Sequence, residues 1–195
     1  SLKKIINYNS KFINSLGINN KNTIVIVLDN GPDFITSFLS NINVCISAPL
    51  NPNYTTAEFN FYIKDLMPKA LITNFNEDHA ALKVAKKNKI KIINVENFYF
   101  KTGKNKISNK TIKISSSNIE DIALILHTSG TTSKPKMVAL THNNLLNSAK
   151  NISTALKLTT KDKNIILMPS FHIHGIIASI LAPLYKGGKV VALPK

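Results

Sequence analysis

The stretch "TIVIVLDNGPDFITSFLSNINVCISAP" (Thr23–Pro49) carries the pattern that decides the fold class. Five of its first six residues are apolar and most of the six are β-branched, which predicts a buried strand. Pro32 suits the first turn of a helix, and Phe34, Phe38 and Ile42 recur after it at helical spacing. The closing "VCISAP" predicts a second strand. Strand, helix and strand in this order indicate a βα unit on a parallel sheet.

Elements of the same two kinds alternate along the rest of the chain. Thr55 and Glu58 fit a capping box, which predicts a helix running to about Leu66. The runs "ALIT" and "IKIINV" predict two strands on either side of the helical "NEDHAALKVAKK". Further strands are predicted at "IALILH", "MVAL", "NIILMP" and "KVVALP", and a helix over "FHIHGIIASILAPLY". This alternation indicates an α/β fold with parallel-rich sheets flanked by helices.

A further helix is predicted directly after "MVAL". Thr141 supplies its start, because a threonine hydroxyl is a favoured helix N-cap. Four apolar residues then recur at helical spacing and are expected on one face: Leu145, Ala149, Ile152 and Leu156. The sequence therefore predicts an amphipathic helix that buries this face.

The pattern lapses between Glu96 and Asp121, around the polar "KTGKNKISNK". Such a segment is typical of a surface loop or a junction between two sheet units. We therefore expect residues 1–195 to form one partial domain with a possible subdomain junction at 96–121. The chain stops at Lys195, directly after a predicted strand. Parallel strands are usually covered on both faces, so we expect more protein to follow.

The formal net charge of +15 raises the question of a nucleic-acid partner. All 25 basic residues counted as Lys or Arg are lysines, whereas base readout and bidentate phosphate contacts favour arginine. The lysines are also scattered along the chain. The composition therefore favours solvated charged faces over a specific nucleic-acid site, and a basic nucleic-acid-binding protein stays the weaker alternative.

The chain lacks the sequence signals of a membrane or secreted protein. Apolar runs such as "IIASILAPLY" are well short of the ~20 residues that a membrane-spanning helix needs, so no membrane span is expected. The opening "SLKKIINYNS" has no apolar signal core. Cys45 is the sole cysteine and stands in an apolar run, typical of a buried thiol in a reducing compartment. We expect an intracellular protein, in the cytoplasm or alternatively in an organelle.

The stretch "HTSGTTSKPK" (His127–Lys136), between two predicted strands, has the chemistry of a phosphate cradle. Gly130 allows a close backbone approach, and Lys136 adds a positive charge. Hydroxyl groups come from five residues: Thr128, Ser129, Thr131, Thr132 and Ser133. The same residue types also make an ordinary polar hairpin link, and this alternative remains open on composition alone. A Walker-type loop is excluded, because Lys136 follows a proline and leads into a strand.

The order Thr-Ser-Gly-Thr-Thr-x-x-Pro-Lys resembles the phosphate loop of the adenylate-forming superfamily, which includes acyl-CoA synthetases, luciferases and peptide-synthetase adenylation domains. The resemblance extends upstream through "PLNPNYTTAEF" and downstream through "LTHNNL" and "MPSFHIHGIIASILAPLYKGGKVVALPK", so it covers nearly the whole chain. His127, Ser133 and the string "FHIHG" look most similar to the oxalate-CoA ligase branch. The resemblance thus implies part of the large N-terminal domain of an adenylate-forming enzyme.

This resemblance implies an acid-thiol ligase that joins a small carboxylic acid to coenzyme A through an acyl-adenylate, with ATP as the activating substrate. Lys136 would offset charge on the departing pyrophosphate, and Mg²⁺ would be carried chiefly by ATP, with no metal-ligating residues in this chain. The β- and γ-phosphates would be held by the motif residues Thr128, Ser129, Gly130, Thr131 and Thr132.

His172 and Gly175 are the second pair of expected site residues. In enzymes that this chain resembles, the histidine after the aromatic of "FHxxG" lies beside the acid pocket, so His172 would orient the reacting carboxylate and Gly175 would open space for it. Two alternatives remain. His172 and His174 at alternate positions could form a metal pair on a strand, or both could be packing residues, and packing is the expected role of His174. Gly175 could equally be a structural device near a helix start.

Two features separate this chain from the family pattern. Met137 and Ser133 stand where glycine is usual, and a side chain at 137 is expected to crowd the loop or shift the strand. The segments that bind adenine and ribose and the late catalytic lysine are absent from the 195 residues. The resemblance therefore implies that this fragment alone is inactive and needs a missing C-terminal part of the same chain. The alternative is a non-catalytic homologue that binds ATP or a partner.

Overall fold

The computed structural model describes residues 1–97, 118–128 and 135–192 of the chain. The described residues divide into two compact units. The first unit comprises residues 1–28 and 36–97, and the second comprises 29–35, 118–128 and 135–192. The junction predicted at 96–121 lies largely outside the described residues and stays a prediction.

A parallel sheet forms the centre of the first unit. Within the described residues its strand order is β4-β3-β1-β2, with β1 between β3 and β2. Ile24 of β1 stands opposite Ser47 on one side and Ala70 on the other. All five residues of β1 are buried, as expected for a central parallel strand covered on both faces. The strands are β1 (Thr23–Val27), β2 (Ile46–Pro49), β3 (Ala70–Thr73) and β4 (Lys91–Asn94).

Helices alternate with these strands, as the sequence predicts. Phe38 and Phe59, from two of them, are wholly buried and build the core. The first helix is not anticipated by the sequence analysis, because its polar residues Asn9 and Ser10 are fully buried with Ile13 and mask the apolar period. The helices are α1 (Leu2–Ser15), α2 (Pro32–Ile42), α3 (Thr56–Leu66) and α4 (Ala80–Lys87).

The start of α3 is the predicted capping box. The Thr55 hydroxyl accepts from the Glu58 amide at 3.3 Å, and the Thr55 amide donates to the Glu58 carboxylate at 2.7 Å. These bonds from the backbone and hydroxyl of Thr55 lower the pKa of the Glu58 carboxyl. The helix ends at Leu66, as predicted, because Met67 turns into the left-handed conformation with φ of 43°.

The second unit contains two pairs of short strands and helices that pack beside them. β5 (Ile122–Thr128) and β6 (Lys136–Thr141) are antiparallel, whereas β7 (Lys163–Ile165) and β8 (Lys189–Val191) are parallel. The Thr141 hydroxyl caps the next helix at the Asn144 amide, at 3.2 Å. The helices are α5 (His142–Ala155), α6 (Ile173–Ile176) and α7 (Ala182–Tyr185), with a π-helical segment (Ile177–Leu181) between the last two.

Two sequence expectations for the second unit are wrong. Leu156 is 64% exposed rather than on the buried face of α5, because the helix ends at Ala155 and Leu156 is its C-cap. The strand predicted over "NIILMP" ends at Ile165, and Leu167 beyond it is 81% exposed. The Ile166 amide still donates to the Val191 carbonyl at 3.1 Å, and the rest of the apolar run lies beyond the ladder. In the described residues, no helix combines the length and hydrophobicity needed to cross a membrane.

Candidate functional site

Thr128 and Lys136 are the last pair of residues in the hairpin of β5 and β6. They stand directly opposite each other in the antiparallel register. Opposed residues of antiparallel strands project from the same face, with Cβ atoms about 4.5–5.5 Å apart. Both side chains are exposed. A hydroxyl and an ammonium group therefore leave one face at the point where the polar loop begins and ends.

The middle of the predicted phosphate loop, residues 129–134, lies outside the described residues. The roles predicted for Ser129, Gly130, Thr131 and Thr132 therefore remain predictions. The antiparallel pairing of β5 and β6 shows that the loop joins two strands and does not open a helix. A phosphate loop and a plain polar link would both fit between these strands, so both interpretations stay open.

Met137 leaves the hairpin on the opposite face from Lys136. Its partner in the ladder is His127, and the pairing runs on through Leu126 and Val138 without interruption. The register shifts only between Ile122 and Leu124, far from the loop. A methionine at this position therefore does not shift the strand, which corrects one of the two effects expected from the sequence. Its 43% exposed side chain projects away from the face shared by Thr128 and Lys136.

His172 occupies the N-cap position of α6 with an extended backbone. Its amide donates to the Pro169 carbonyl at 3.1 Å, and its own carbonyl accepts from the Ile176 amide at 3.1 Å. The imidazole makes no capping hydrogen bond and is exposed. It lies beside the Phe171 ring, with centroids 4.5 Å apart. The backbone of His172 is thus fixed while its side chain stays available to a ligand.

Asn30 is a positioning residue that the sequence analysis missed. Its side-chain amide donates to the Met168 carbonyl at 2.9 Å, and its side-chain oxygen accepts from the Ser170 amide at 2.8 Å. One asparagine therefore holds both sides of the turn that precedes His172. The partners lie about 140 residues away in sequence, at separations of 138 and 140, so no local pattern could reveal the contact.

Gly175 allows the helix and this turn to approach each other closely. A Cβ atom at this position would lie 2.3 Å from the Pro169 carbonyl oxygen and 3.2 Å from that of Met168. The first distance is shorter than real Cβ contacts and the second is tighter than most of them, so a side chain at this position would force the backbone to shift. The structure therefore gives Gly175 a packing role, and the predicted role in opening space for substrate stays a prediction.

The strand on which the metal-pair alternative depended is not present. His174 lies in the first turn of α6, directly after Ile173, and His172 is the cap. The side chain of His174 is exposed, so the packing role expected for it is wrong. Across residues 1–97, 118–128 and 135–192, no three His, Cys, Asp or Glu side chains are grouped as a metal site. A zinc pair at His172 and His174 therefore has no support.

His142 has a structural role at the start of α5. Its amide donates to the Asp121 carbonyl at 3.1 Å, which joins the helix start to the turn before β5. Burial of the imidazole lowers the pKa of His142, and the nearby negative charge of Asp121 offsets part of this effect.

The family and the relatives that the sequence matches agree with the arrangement of the candidate site. The model of the AMP-binding enzyme family matches residues 1–195. The chain is 36% identical over 194 residues to an oxalate–CoA ligase of Arabidopsis thaliana, covering 95% of this chain and 37% of that protein. It is 35% identical to the oxalate–CoA ligase of Saccharomyces cerevisiae, covering 88% and 37%. The chain thus spans little more than a third of the length of these relatives.

A solved structure with a distantly similar sequence has the same fold. ATP-bound MatB from Rhodopseudomonas palustris superposes on the whole chain with a TM-score of 0.84, at 20% identity and over 39% of its own length. At this sequence identity the structural similarity is evidence for the fold alone. The evidence for the family is the family model that matches all 195 residues, together with the relatives above 30% identity. The chain belongs to the family of AMP-binding enzymes.

Proposed function

We propose that this chain is part of an ATP-dependent acid-thiol ligase. The enzyme activates a carboxylic acid as an acyl-adenylate, releases pyrophosphate and passes the acyl group to coenzyme A. Membership of the AMP-binding enzymes and similarity to CoA ligases support the reaction class. Because the chain spans about 37% of these relatives, the proposal concerns the whole protein, and the 195 residues alone are expected to be inactive.

The main observation behind the proposal is that Thr128 and Lys136 stand at the two ends of the polar loop. They face each other across β5 and β6 and project from one face. No described carboxylate forms an ion pair with Lys136. An unpaired ammonium beside a hydroxyl-rich loop suits phosphate oxygens, to which charge-assisted hydrogen bonds are strong. The loop hydroxyls and the amide of Gly130 would complete the cradle.

In this proposal the chain positions and stabilises charge rather than attacking the substrate. The acid's own carboxylate is the nucleophile, and the α-phosphorus of ATP is its target. Electron density then moves to the departing pyrophosphate, where Lys136 offsets the growing negative charge. Mg²⁺ would enter bound to ATP, as part of the substrate.

His172 would orient the reacting acid. Its imidazole is exposed and not used in capping, while its backbone is held by the turn at Pro169. Leu167, Met168 and Ile173, which lie within five residues of it in the sequence, are 81%, 45% and 42% exposed. Similarity to two oxalate–CoA ligases makes oxalate the first acid to test.

We also propose an intracellular setting, in the cytoplasm or an organelle. Cys45 is a free thiol and only 2% exposed, and burial raises its pKa. A buried neutral thiol packs as a small apolar side chain and is suited to a reducing compartment. ATP and coenzyme A, the proposed substrates, are intracellular as well.

The test of the proposed function is carboxylate-dependent ATP–pyrophosphate exchange with a panel of acids that includes oxalate. The longest chain encoded by the gene is assayed beside the 195-residue chain. We expect exchange from the longer chain with at least one small acid and none from the shorter one. If the longer chain is folded and binds ATP but exchanges with no acid, the non-catalytic homologue is the better interpretation.

Changing His172 to alanine in the longer chain is expected to lower exchange about 10- to 100-fold at subsaturating acid, because the acid loses its orienting partner. The KM for the acid should rise or kcat should fall, whereas nucleotide affinity should stay within twofold. His174→Ala is the matched control, since His174 is also exposed and lies in the same first turn. If exchange falls equally in the two variants, His172 does not orient the acid.

A further inference from the structure

A groove in the first unit has no lining residue in common with the proposed active site. It has a cavity volume of about 370 Å³, within the range of small-ligand sites. Its walls come from the end of α1, the start of β3 and the turn between α4 and β4. The lining residues are Leu16, Ile18, Pro68, Lys69, Asn88, Lys89, Ile90 and Lys91.

The groove opens at the amino ends of two parallel strands. Lys69 directly precedes β3, and Lys91 is the first residue of β4. In open α/β sheets the usual ligand crevice lies at the carboxyl ends of the strands. The groove is therefore at the other edge of this sheet, and neither Lys136 nor His172 belongs to the first unit.

Three of the eight lining residues are lysines, and none is acidic. All three side chains are exposed. The described residues contain an ion pair between Lys86 and Glu77 at 2.9 Å, but none that involves Lys69, Lys89 or Lys91. Like charges that share a concave wall repel one another and focus a positive potential into the groove. A bound anion would relieve this repulsion.

The backbone around Lys89 is fixed in a shape that places this lysine at the groove. Lys89 has a φ of 55°, in the left-handed region that favours glycine. Its amide donates to the Lys86 carbonyl at 3.1 Å, and the Ile90 amide donates to that of Ala85 at 2.9 Å. The Asn88 side chain donates to the Val84 carbonyl at 2.9 Å. The end of α4 thus presents a charged side chain where glycine would be conformationally easier.

We propose that this groove is an anion site for a polyphosphate group, either free pyrophosphate or the phosphate tail of a nucleotide. Lysine ammonium groups act as point charges and are well suited to phosphate. Three of them match the several charged oxygens of a diphosphate better than the single charge of a monocarboxylate.

The site is tested by titrating the ¹⁵N-labelled chain with inorganic pyrophosphate and, separately, with ADP. We expect the amide signals of Lys69 and Asn88–Lys91 to shift in a saturable way. Tighter binding of pyrophosphate assigns the site to the free anion, and tighter binding of ADP assigns it to a nucleotide. If these amides do not shift with either ligand, the proposal is wrong, and this readout needs no mutant.

A charge-matched pair of variants then separates the groove from the general positive charge. The groove variant is Lys69→Gln, Lys89→Gly and Lys91→Gln, where glycine suits the left-handed backbone at 89. The control variant removes three exposed lysines outside the lining: Lys64→Gln, Lys83→Gln and Lys87→Gln. We expect affinity to fall about tenfold or more in the groove variant and at most twofold in the control. Equal weakening in both would overturn the site.

Discussion

Changing Lys136 to alanine is expected to lower ATP–pyrophosphate exchange by the longest encoded chain about 100- to 1,000-fold, the range seen when one transition-state donor is removed. Lys136 begins β6, opposite Thr128, and its ammonium has no described ionic partner. Its charge is therefore available to the phosphates. We expect Lys136 to stabilise the transition state, in which negative charge builds on pyrophosphate, more than it stabilises bound ATP. The effect should fall mainly on kcat rather than on the KM for the acid.

The fold should survive this change, which separates a catalytic loss from a structural one. Lys136 is exposed, and surface substitutions of this kind usually alter stability by no more than about 0.5 kcal/mol. Lys163→Ala is the matched control, because Lys163 is also exposed and also begins a strand, β7. Melting temperatures of both variants should stay near that of the unmodified protein. If exchange by the Lys136→Ala protein stays within twofold of that of the unmodified protein, Lys136 does not act on the phosphates.

Local signals in the sequence predicted the first unit well. Thr55 and Glu58 set the start of α3, and the apolar runs at β1 and β3 set the sheet, because each signal acts over a few residues. The helix α1 was missed for the opposite reason. Its buried Asn9 and Ser10 look like surface residues until another element covers them. Ser10 in fact donates to the Ser40 carbonyl of α2 at 3.2 Å, a contact across 30 residues.

The candidate site shows the same division between local and distant signals. The residue order around Lys136 and the string around His172 were enough to indicate the family and to choose the residues for mutation. The hydrogen bonds of Asn30 could not be predicted from the sequence. They join its side chain to the backbone of Met168 and Ser170, so they require no particular side chain at positions 168 and 170. The close approach at Gly175 was likewise hidden, because a glycine near a helix start has several common explanations.

Changing Gly175 to alanine is expected to destabilise the second unit by about 2 kcal/mol, although alanine alone is favoured over glycine within a helix by about 1 kcal/mol. The added Cβ would meet the Pro169 carbonyl oxygen at 2.3 Å and its carbon at 2.9 Å. These are backbone atoms in a turn that Asn30 binds on both sides, at 2.9 and 2.8 Å. A shift of this turn would strain those bonds, so we expect the clash to outweigh the helix preference.

The measurement is thermal and urea unfolding of the Gly175→Ala chain beside Gly31→Ala. A loss of 2 kcal/mol should lower the melting temperature by about 4–8 °C in a chain of this size. Gly31 is the matched control: it lies in the same unit, before α2, and an added Cβ there meets no atom within 4 Å. A Gly175→Ala protein that melts at or above the unmodified one would show that the turn yields freely. In that case Asn30 and Gly175 would not hold His172 in place, and the orienting role proposed for His172 would lose its structural support.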